Sequence, residues 1–460
     1  MLKFKKIEAK HLKSLQKYLK LNTYELCDAS IGVMYMWNEH YNFSFAVYND
    51  TLILKSDGRD GKQRFFPPIG LDKNGAYKKI EEYAVKNSLQ LEFICVDESE
   101  LNNLKERYGE ITYSFNRDFS DYIYKYSEIE SFTGKKFSGQ RNHINAFKRA
   151  YPNYKYHTLT SKNVEKIVKF LNEYKKDHKK MGRIEKKEFF NTLTLVNNLS
   201  IAKFVGGYIT VGKKIVAFSI GEYVGSTLVI HIEKAILSYR GAYPTMFNEF
   251  VKHVKKDGIE FINREDDSGD LGLRTSKTQY QPIKISNKYH VLVKKPMNID
   301  KIPTIKGANI TLSEIKKSDA QLYYKLYVAV KNNRYWGYNY KKDIKGENVE
   351  DFYNLAKADF KNKDNAIFII RKNKRLVGEI ILHNFNYKNQ VEIGIRLLKS
   401  EQGKGYAFEA LNLITYYVIK TLKKEPYAKC YLQNVASKKL FLKSGYKEIG
   451  KDKKFAFFKL

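Results

Sequence analysis

Residues 400–411 read SEQGKGYAFEAL, between a strand-like run, VEIGIRL (391–397), and a helix-like run, EALNLITYYVIK (409–420). Two glycines and a lysine therefore stand at the mouth of a helix. A helix N-terminus leaves backbone N–H groups unpaired and carries positive partial charge, which suits phosphate. Glycine at 403 and 405 lets the backbone approach an anion that a Cβ would obstruct. The segment QGKGYA (402–407), after a strand and opening a helix, reads as a pyrophosphate cradle.

Outward from that motif, the chain has 460 residues, too many for one ordinary core and enough for about three units. Hydrophobic residues make up 43% and aromatic residues 14%, a composition that builds packed cores and excludes a disordered chain. The start, MLKFKKIEAKHLK, has no apolar run of signal-peptide length. No stretch has the roughly 18 apolar residues of a membrane span, so the expectation is a cytoplasmic protein without an integral membrane segment. Cys27, Cys95 and Cys430 are scattered without CxxC spacing, so neither a disulfide framework nor a metal site is expected. The net charge is +33, and it belongs to residues 126–300 and 301–460, since 1–125 are close to neutral. Such basicity fits a phosphate-bearing partner, tRNA or an anionic lipid surface; it equally fits solvated lysines in a Lys-, Asn-, Ile- and Tyr-rich chain. The densest basic patch is residues 148–187, with thirteen Lys or Arg.

Strand and helix signals alternate three times. The first series has an amphipathic helix (KHLKSLQKYLKL), two strands around Asn49-Asp50, a stiff FFPPIG turn, a helix and the buried strand LEFICV. The second, after Tyr126, has a helix (VEKIVKFLNEYKK), strands around a Gly-Lys-Lys turn, the strand STLVIHIEKA and the helix TMFNEFVKHVKKDG. The third follows a linker between Pro296 and Pro303, and in it LSEIKKSDAQLYYKLYVAV reads as a helix before a hairpin, a strand and the glycine loop. The fold class is α+β, three tandem layer domains, each a mixed, mostly antiparallel sheet flanked by helices, with boundaries at 1–125, 126–298 and 303–460.

The pattern around 402–411, with YWGYN (335–339), VGEIIL, VEIGIRL and NVASKKLFLKSGYKEIG (434–450), resembles the GNAT acyltransferases over roughly 305–460, especially the branch that acetylates ribosomal-protein N-termini. The resemblance implies acetyl-CoA as cofactor and a small-molecule or peptide amine as acceptor. It implies that the amides around Gln402, Gly403, Lys404, Gly405, Tyr406 and Ala407 hold the pyrophosphate and that Asn434 touches the pantetheine arm. The VEIGIRL strand would splay from its neighbour so that this arm can pair with it. Glu392, on that strand, is the candidate base; its plainer reading is an ordinary strand carboxylate. Many relatives carry a tyrosine seven residues after the asparagine to protonate the leaving thiolate, and here that position is Phe441. Ser437, Tyr446 or water takes the task, or the thiolate leaves unassisted.

FINREDDSGDLGLRTSKTQYQPIKI (261–285) is the densest polar constellation in the chain, and by composition alone it reads as a solvated acidic loop and a capped turn. Its spacing lacks a Ca²⁺-loop ligand pattern. Together with GKKFSGQRNHINAFKRAYP, VIHIEKA and MYMWNEHYNFSFAVYNDTLILKS it resembles the soluble catalytic domain of phosphatidylglycerol lysyltransferases, over roughly 1–295, a family built from two tandem GNAT-like folds. The resemblance implies a second-repeat site in which Glu233, Glu265, Asp266 or Asp267 receives an ammonium group, and in which Arg264, Arg274 and Lys277 bind phosphate. Three readings follow. In the first, the chain is an acetyl-CoA-dependent N-acetyltransferase fused to a lysyltransferase-like pair. In the second, the N-terminal pair is the catalyst and transfers an aminoacyl group from tRNA. In the third, that pair is a binding module for tRNA or anionic lipid head groups.

Overall fold

The computed structural model describes residues 2–21, 26–58, 60–87, 89–177, 183–329, 333–336 and 348–460. Gly337–Asn339 of the YWGYN motif and residues 178–182 of the basic stretch lie outside the described residues. The chain forms two compact units, Met1–Lys294 and Lys295–Leu460. The N-terminal unit holds two mixed sheets and the C-terminal unit one, each flanked by helices, as tandem GNAT-like domains require.

The first sheet runs, edge to edge, Lys5–Lys6, Phe43–Tyr48, Thr51–Asp57, Gln63–Phe65, Glu92–Val96, Tyr289–Val293 and Ile111–Phe115. Its hairpin turns on Asn49 and Asp50, both with positive φ (44° and 50°), the conformation a two-residue turn needs to match strand twist. The second sheet runs Lys284–Ser286, Asp121–Lys125, Phe261–Asn263, Thr227–Ala235, Lys214–Val224, Val205–Val211 and Lys155–Thr158. Two segments therefore cross the boundaries expected from sequence. Asp121–Lys125 belongs to the second sheet, and Tyr289–Val293 returns to pair between Glu92–Val96 and Ile111–Phe115. Hydrophobic cadence marks strands but does not say which sheet recruits them.

The third sheet runs Ile305–Lys306, Thr311–Ser313, Ala366–Lys372, Arg375–His383, Gln390–Leu397, Glu425–Tyr431, Phe455–Lys459 and Lys447–Lys451. Thr311–Ser313 is a strand and the helix runs only from Ala320 to Val328, a correction to the single helix read over this segment. Strand alternation divides Gln390–Leu397. Val391, Ile393 and Leu397 enter the core with Ala410, Leu411, Ile414 and Val418 of the helix Tyr406–Lys420. Glu392, Gly394 and Arg396 take the opposite face.

The second and third sheets share one detail. Thr227–Ala235 pairs in parallel with Phe261–Asn263 only through Thr227–Val229, and Gln390–Leu397 pairs in parallel with Glu425–Tyr431 only through Gln390–Glu392. In the second sheet the shorter strand ends at Asn263, so Ile230–Ala235 run on without a neighbour on that side. In the third, Gln390–Leu397 and Glu425–Tyr431 both run on and separate beyond Glu392 and Tyr427.

Behind the second sheet lies an ionic knot. The Asp267 side chain is fully buried and accepts from Arg274 (2.8 and 3.0 Å), Tyr122 Oη (2.5 Å), Arg117 (3.4 Å) and the Gly269 amide (3.0 Å). Burial alone would raise the Asp267 pKa, but Arg274, Tyr122 and the Gly269 amide outweigh it and bring it down to about 2. Asp267→Ala is expected to cost about 3–5 kcal/mol in urea denaturation, because two arginines and a tyrosine lose a buried acceptor. In the wild type the stabilisation is present above the ordinary value of 3.8 and is lost as pH falls through about 2.

Candidate active sites

In the N-terminal unit a cavity of about 1520 Å³ is walled by the strand Thr227–Ala235, the loop after Phe261–Asn263 and the helix Leu271–Thr278. Arg264 forms part of its wall. Its Nε and Nη2 both lie 2.7 Å from a Glu233 carboxylate oxygen, and the guanidinium carbon sits 4.2 Å from the Phe247 ring centre and 4.7 Å from that of Tyr280. The remaining nitrogen, Nη1, is buried and has no hydrogen-bond partner among the described residues. A buried guanidinium held flat with one nitrogen unspent is a donor set for an acceptor oxygen. Lys277 is buried beside it and donates to the carbonyls of Arg264 (2.5 Å) and Asp266; burial, with Arg264 adding to it, holds its pKa below the usual lysine value.

The four acidic residues of the loop separate into distinct tasks. Asp270 caps the helix Leu271–Thr278 by accepting from the Leu273 amide (2.6 Å). Asp267 and Arg274, expected from sequence among the substrate ligands, bind each other and do not line the cavity. Glu265 and Asp266 do line it, with Glu233, Arg264 and Lys277. Asp266 accepts from Ser268 and stands 3.5 Å from Lys288.

Sequence reasoning missed the floor of this cavity. Cys27, Asp28 and Asp121 offer donor atoms that converge within 4.8 Å, a spacing that could suit a metal ion. The Lys288 ammonium fills the place of that cation, 2.7 Å from Asp28, 2.8 Å from Asp121 and 3.3 Å from the Cys27 sulfur. Burial pushes the Cys27 thiol well above its ordinary pKa, so it stands as a neutral thiol. Beside this group His231 lies between Glu222 and Glu265. No sequence signal marks Lys288, an isolated lysine in SNKYH. The alternation in VIHIEKA does mark His231 and Glu233 as polar residues among buried ones.

In the C-terminal unit Gly405 is the N-cap of the helix Tyr406–Lys420, with φ of 84° and no side-chain cap; Gly403 has φ of 77°. Nothing lies within 4 Å of where a Cβ on either glycine would point. The first-turn carboxylate, Glu409, binds the Asn309 amide (2.8 Å) and leaves its own helix uncapped. Gln402 is exposed and Lys404 pairs with Glu401 (2.9 Å). Asn434 caps the helix Val435–Lys443 by accepting from the Ser437 amide (3.2 Å). These residues border the wide end of the separated strands, with the first-turn amides of the helix left without a side-chain cap.

At the narrow end stands Glu392, buried, accepting from Asn384 (2.7 Å), Tyr427 Oη (3.2 Å) and Lys429 (3.2 Å). Burial raises its pKa, but His383, Lys429 and Asn384 together hold it below the usual value. His383 Nε2 is 3.8 Å away, and burial lowers the His383 pKa against the pull of Glu392. A neutral imidazole is the stronger base of the two at neutral pH. A Cβ on Gly394 would stand 3.2 Å from Trp336 and 3.4 Å from His383, so this glycine leaves room beside both rings. Tyr446 lies in the core, hydrogen-bonded to Thr415 (2.7 Å), and burial raises its pKa to about 12. Phe441 packs against it.

Residues 21–292 match the family model described as phosphatidylglycerol lysyltransferase, C-terminal. The chain belongs to that family. Residues 309–447 of this lysyltransferase-family chain match the acetyltransferase (GNAT) domain model. Both are acyltransferase-type domains. A conserved protein of unknown function from Bacteroides thetaiotaomicron VPI-5482 is 30% identical, with a TM-score of 0.60 over 64% of this chain and 100% of that one. The L-PGS structure from Bacillus licheniformis is 14% identical, covering 61% of this chain and 90% of that one with a TM-score of 0.45. A spermidine N-acetyltransferase from Vibrio cholerae, solved with CoA and spermine, is 18% identical over 34% of this chain and 96% of that one, with a TM-score of 0.30. No curated protein matches the chain. Among the described residues no helix is long and apolar enough to cross a membrane.

His383→Ala is expected to lower kcat/KM for any amine that the C-terminal unit acetylates by roughly 10²–10⁴-fold. The acid limb of the wild-type rate profile should fall below 6.5, the ordinary histidine value, because burial holds His383 under it.

Proposed function

We propose that the C-terminal unit transfers an acetyl group from acetyl-CoA to an amine of a small molecule or peptide, in the cytoplasm. The observation that carries this reading is the uncapped, glycine-led helix at Gly405 standing at the open end of strands that separate after Glu392. The five residues 393–397 leave about 17 Å of strand edge unpaired on that side, at roughly 3.3 Å per residue. An extended arm with its own amides can pair there while its phosphates rest on the amides of Gly403, Lys404, Gly405, Tyr406 and Ala407. Acetyl-CoA supplies an activated thioester carbonyl. The protein's residues do the rest by placement. His383 takes the amine proton, Glu392 holds His383 and Lys429 in register, and Asn434 borders the arm. With Phe441 in the core, the proton for the departing sulfur comes from Ser437 or water.

Gly405→Glu should weaken acetyl-CoA binding to the full-length protein at least about tenfold in calorimetric titration, since a carboxylate enters the phosphate cradle and the φ of 84° disfavours any side chain. Unchanged affinity would sink the assignment.

A second reading concerns the N-terminal unit, and the unpartnered Nη1 of Arg264 favours it. We infer that this unit transfers an aminoacyl group from tRNA to an acceptor such as an anionic lipid head group, with Arg264 donating to the acyl or phosphate oxygen. Arg264→Gln is expected to abolish transfer from lysyl-tRNA while leaving acetyl-CoA affinity of the same chain unchanged. Loss of both would identify Arg264 as structural.

A further inference from the structure

His231 is the extra residue of a β-bulge. Ile230 faces Gly221 and Ile232 faces Ile220 across the neighbouring strand, so His231 has no partner in the ladder. A bulge re-aims a side chain, and this one turns the imidazole into a slot between two carboxylates. Nε2 lies 2.9 Å from Glu222 and Nδ1 2.7 Å from Glu265. The His231 side chain is 1% exposed and that of Glu222 2%, whereas that of Glu265 keeps 25% of its surface open toward the cavity.

The other side of the slot is supplied by the first sheet's half of the unit. The Gly32 amide, in the helix Ile31–Met36, donates to the same Glu222 oxygen at 2.6 Å. A Cβ on Gly32 would overlap the imidazole, so only glycine lets the helix close over the ring. Phe204 meets the ring edge-on at 6.4 Å. The charged groups around the pair are Glu222 on the adjacent strand, Glu265 itself, and Asp266 and Lys277, which act on Glu265; Ile31–Met36 contributes backbone only. Glu265 is a non-glycine residue at φ 57°, held there by its amide to Asn263 (2.7 Å) and its carbonyl to Tyr122 (3.2 Å). Strain of this kind fixes where a carboxylate points.

We propose that His231 is a positioning residue: an imidazolium clasped between Glu222 and Glu265, it sets the Glu265 carboxylate at the cavity wall, and the helix Ile31–Met36 locks the clasp from behind. What Glu265 then does rests on the aminoacyl-transfer reading. As the acceptor oxygen or nitrogen forms its bond to the acyl carbon, its proton passes to Glu265. The ester C–O bond to the donor breaks, and Glu265 returns the proton to the departing donor oxygen. Burial opposes the charge on His231, but the two carboxylates outweigh it and raise the pKa from 6.5 to about 9. The stability contributed by the clasp is therefore full below about 6.5 and is lost as pH rises through about 9.

The test uses the full-length protein labelled with ¹⁵N-histidine, read by long-range ¹H–¹⁵N correlation from pH 5 to 10. One imidazole should stay doubly protonated past pH 8 in the wild type and titrate lower in Glu222→Gln and Glu265→Gln. Gly32→Ala should shift the same resonance and lower its titration point. In parallel, transfer from lysyl-tRNA to hydroxylamine is followed against pH. His231→Phe, with its fold checked by circular dichroism, should lose at least about tenfold in kcat, keep KM for the tRNA, and lose the alkaline limb near 9. A His231 ring that is neutral at pH 7.5 in the wild type overturns the proposal, as does a folded His231→Phe with an unchanged pH profile. Absence of transfer by the wild type defeats the aminoacyl reading, and the clasp is then decided by the spectra of the wild type and Gly32→Ala.

Discussion

A parallel pairing that stops after three residues sets the terms for both candidate sites in this protein. A sheet that opens in its interior exposes ladder N–H and C=O groups that must find other partners, from side chains, water or a bound molecule. Both units build their candidate chemistry at that opening. In the C-terminal unit the wedge is kept bare, with a glycine-led helix at its wide end and a small polar cluster at its apex. In the N-terminal unit the corresponding wedge is furnished with charged side chains: Arg264, Glu233, Glu265 and His231. One architecture thus leaves an open strand edge in one place and a charged chamber in the other. That difference lies in side chains and a bulge, not in strand order.

The chamber is costly to build, since each ion removed from water costs several kcal/mol unless matched closely. The matching is close. Lys288 answers Asp28 and Asp121, Arg264 answers Glu233, and Arg274 answers Asp267. These partners come from positions 28, 121, 233, 264, 267, 274 and 288, so the network ties the second sheet to the turn Cys27–Ala29 and to the segment that leads into Tyr289–Val293. The overall charge of +33 is a separate matter carried largely by exposed lysines. Inside, cations and carboxylates come in near-equal numbers, which suits a site that handles a zwitterionic or phosphate-bearing group without a large field of either sign.

The glycine loop was legible because its signal is local: strand, turn glycines and helix onset occupy twenty consecutive residues, and glycine permits the positive φ found at 403 and 405. The alternating face of VEIGIRL was legible for the same reason. The acidic loop was not. Glu265, Asp266, Asp267 and Asp270 look alike in sequence, and only tertiary partners sort them into cavity wall, buried anchor and helix cap. His231 lay within a quoted strand, yet its importance depends on a bulge, and bulge position is set by register against Lys214–Val224. His383 and Lys429 meet Glu392 only because three strands align there. That Asp121–Lys125 joins the second sheet was not legible, because the cadence of hydrophobic residues carries no information about pairing with strands more than a hundred positions away.

That long-range pairing has a consequence for how the chain is made. Tyr289–Val293 is an interior strand of the first sheet, flanked on both sides by strands complete before residue 116. During synthesis those two neighbours emerge with their facing edges open and stay so until the whole second sheet has been translated. The early intermediate therefore exposes two unsatisfied edges, the kind of surface that invites pairing with another nascent chain. Closure of the first sheet is a late event, and the two sheets of the N-terminal unit form one folding unit whose halves cannot be inherited or excised separately at the midpoint.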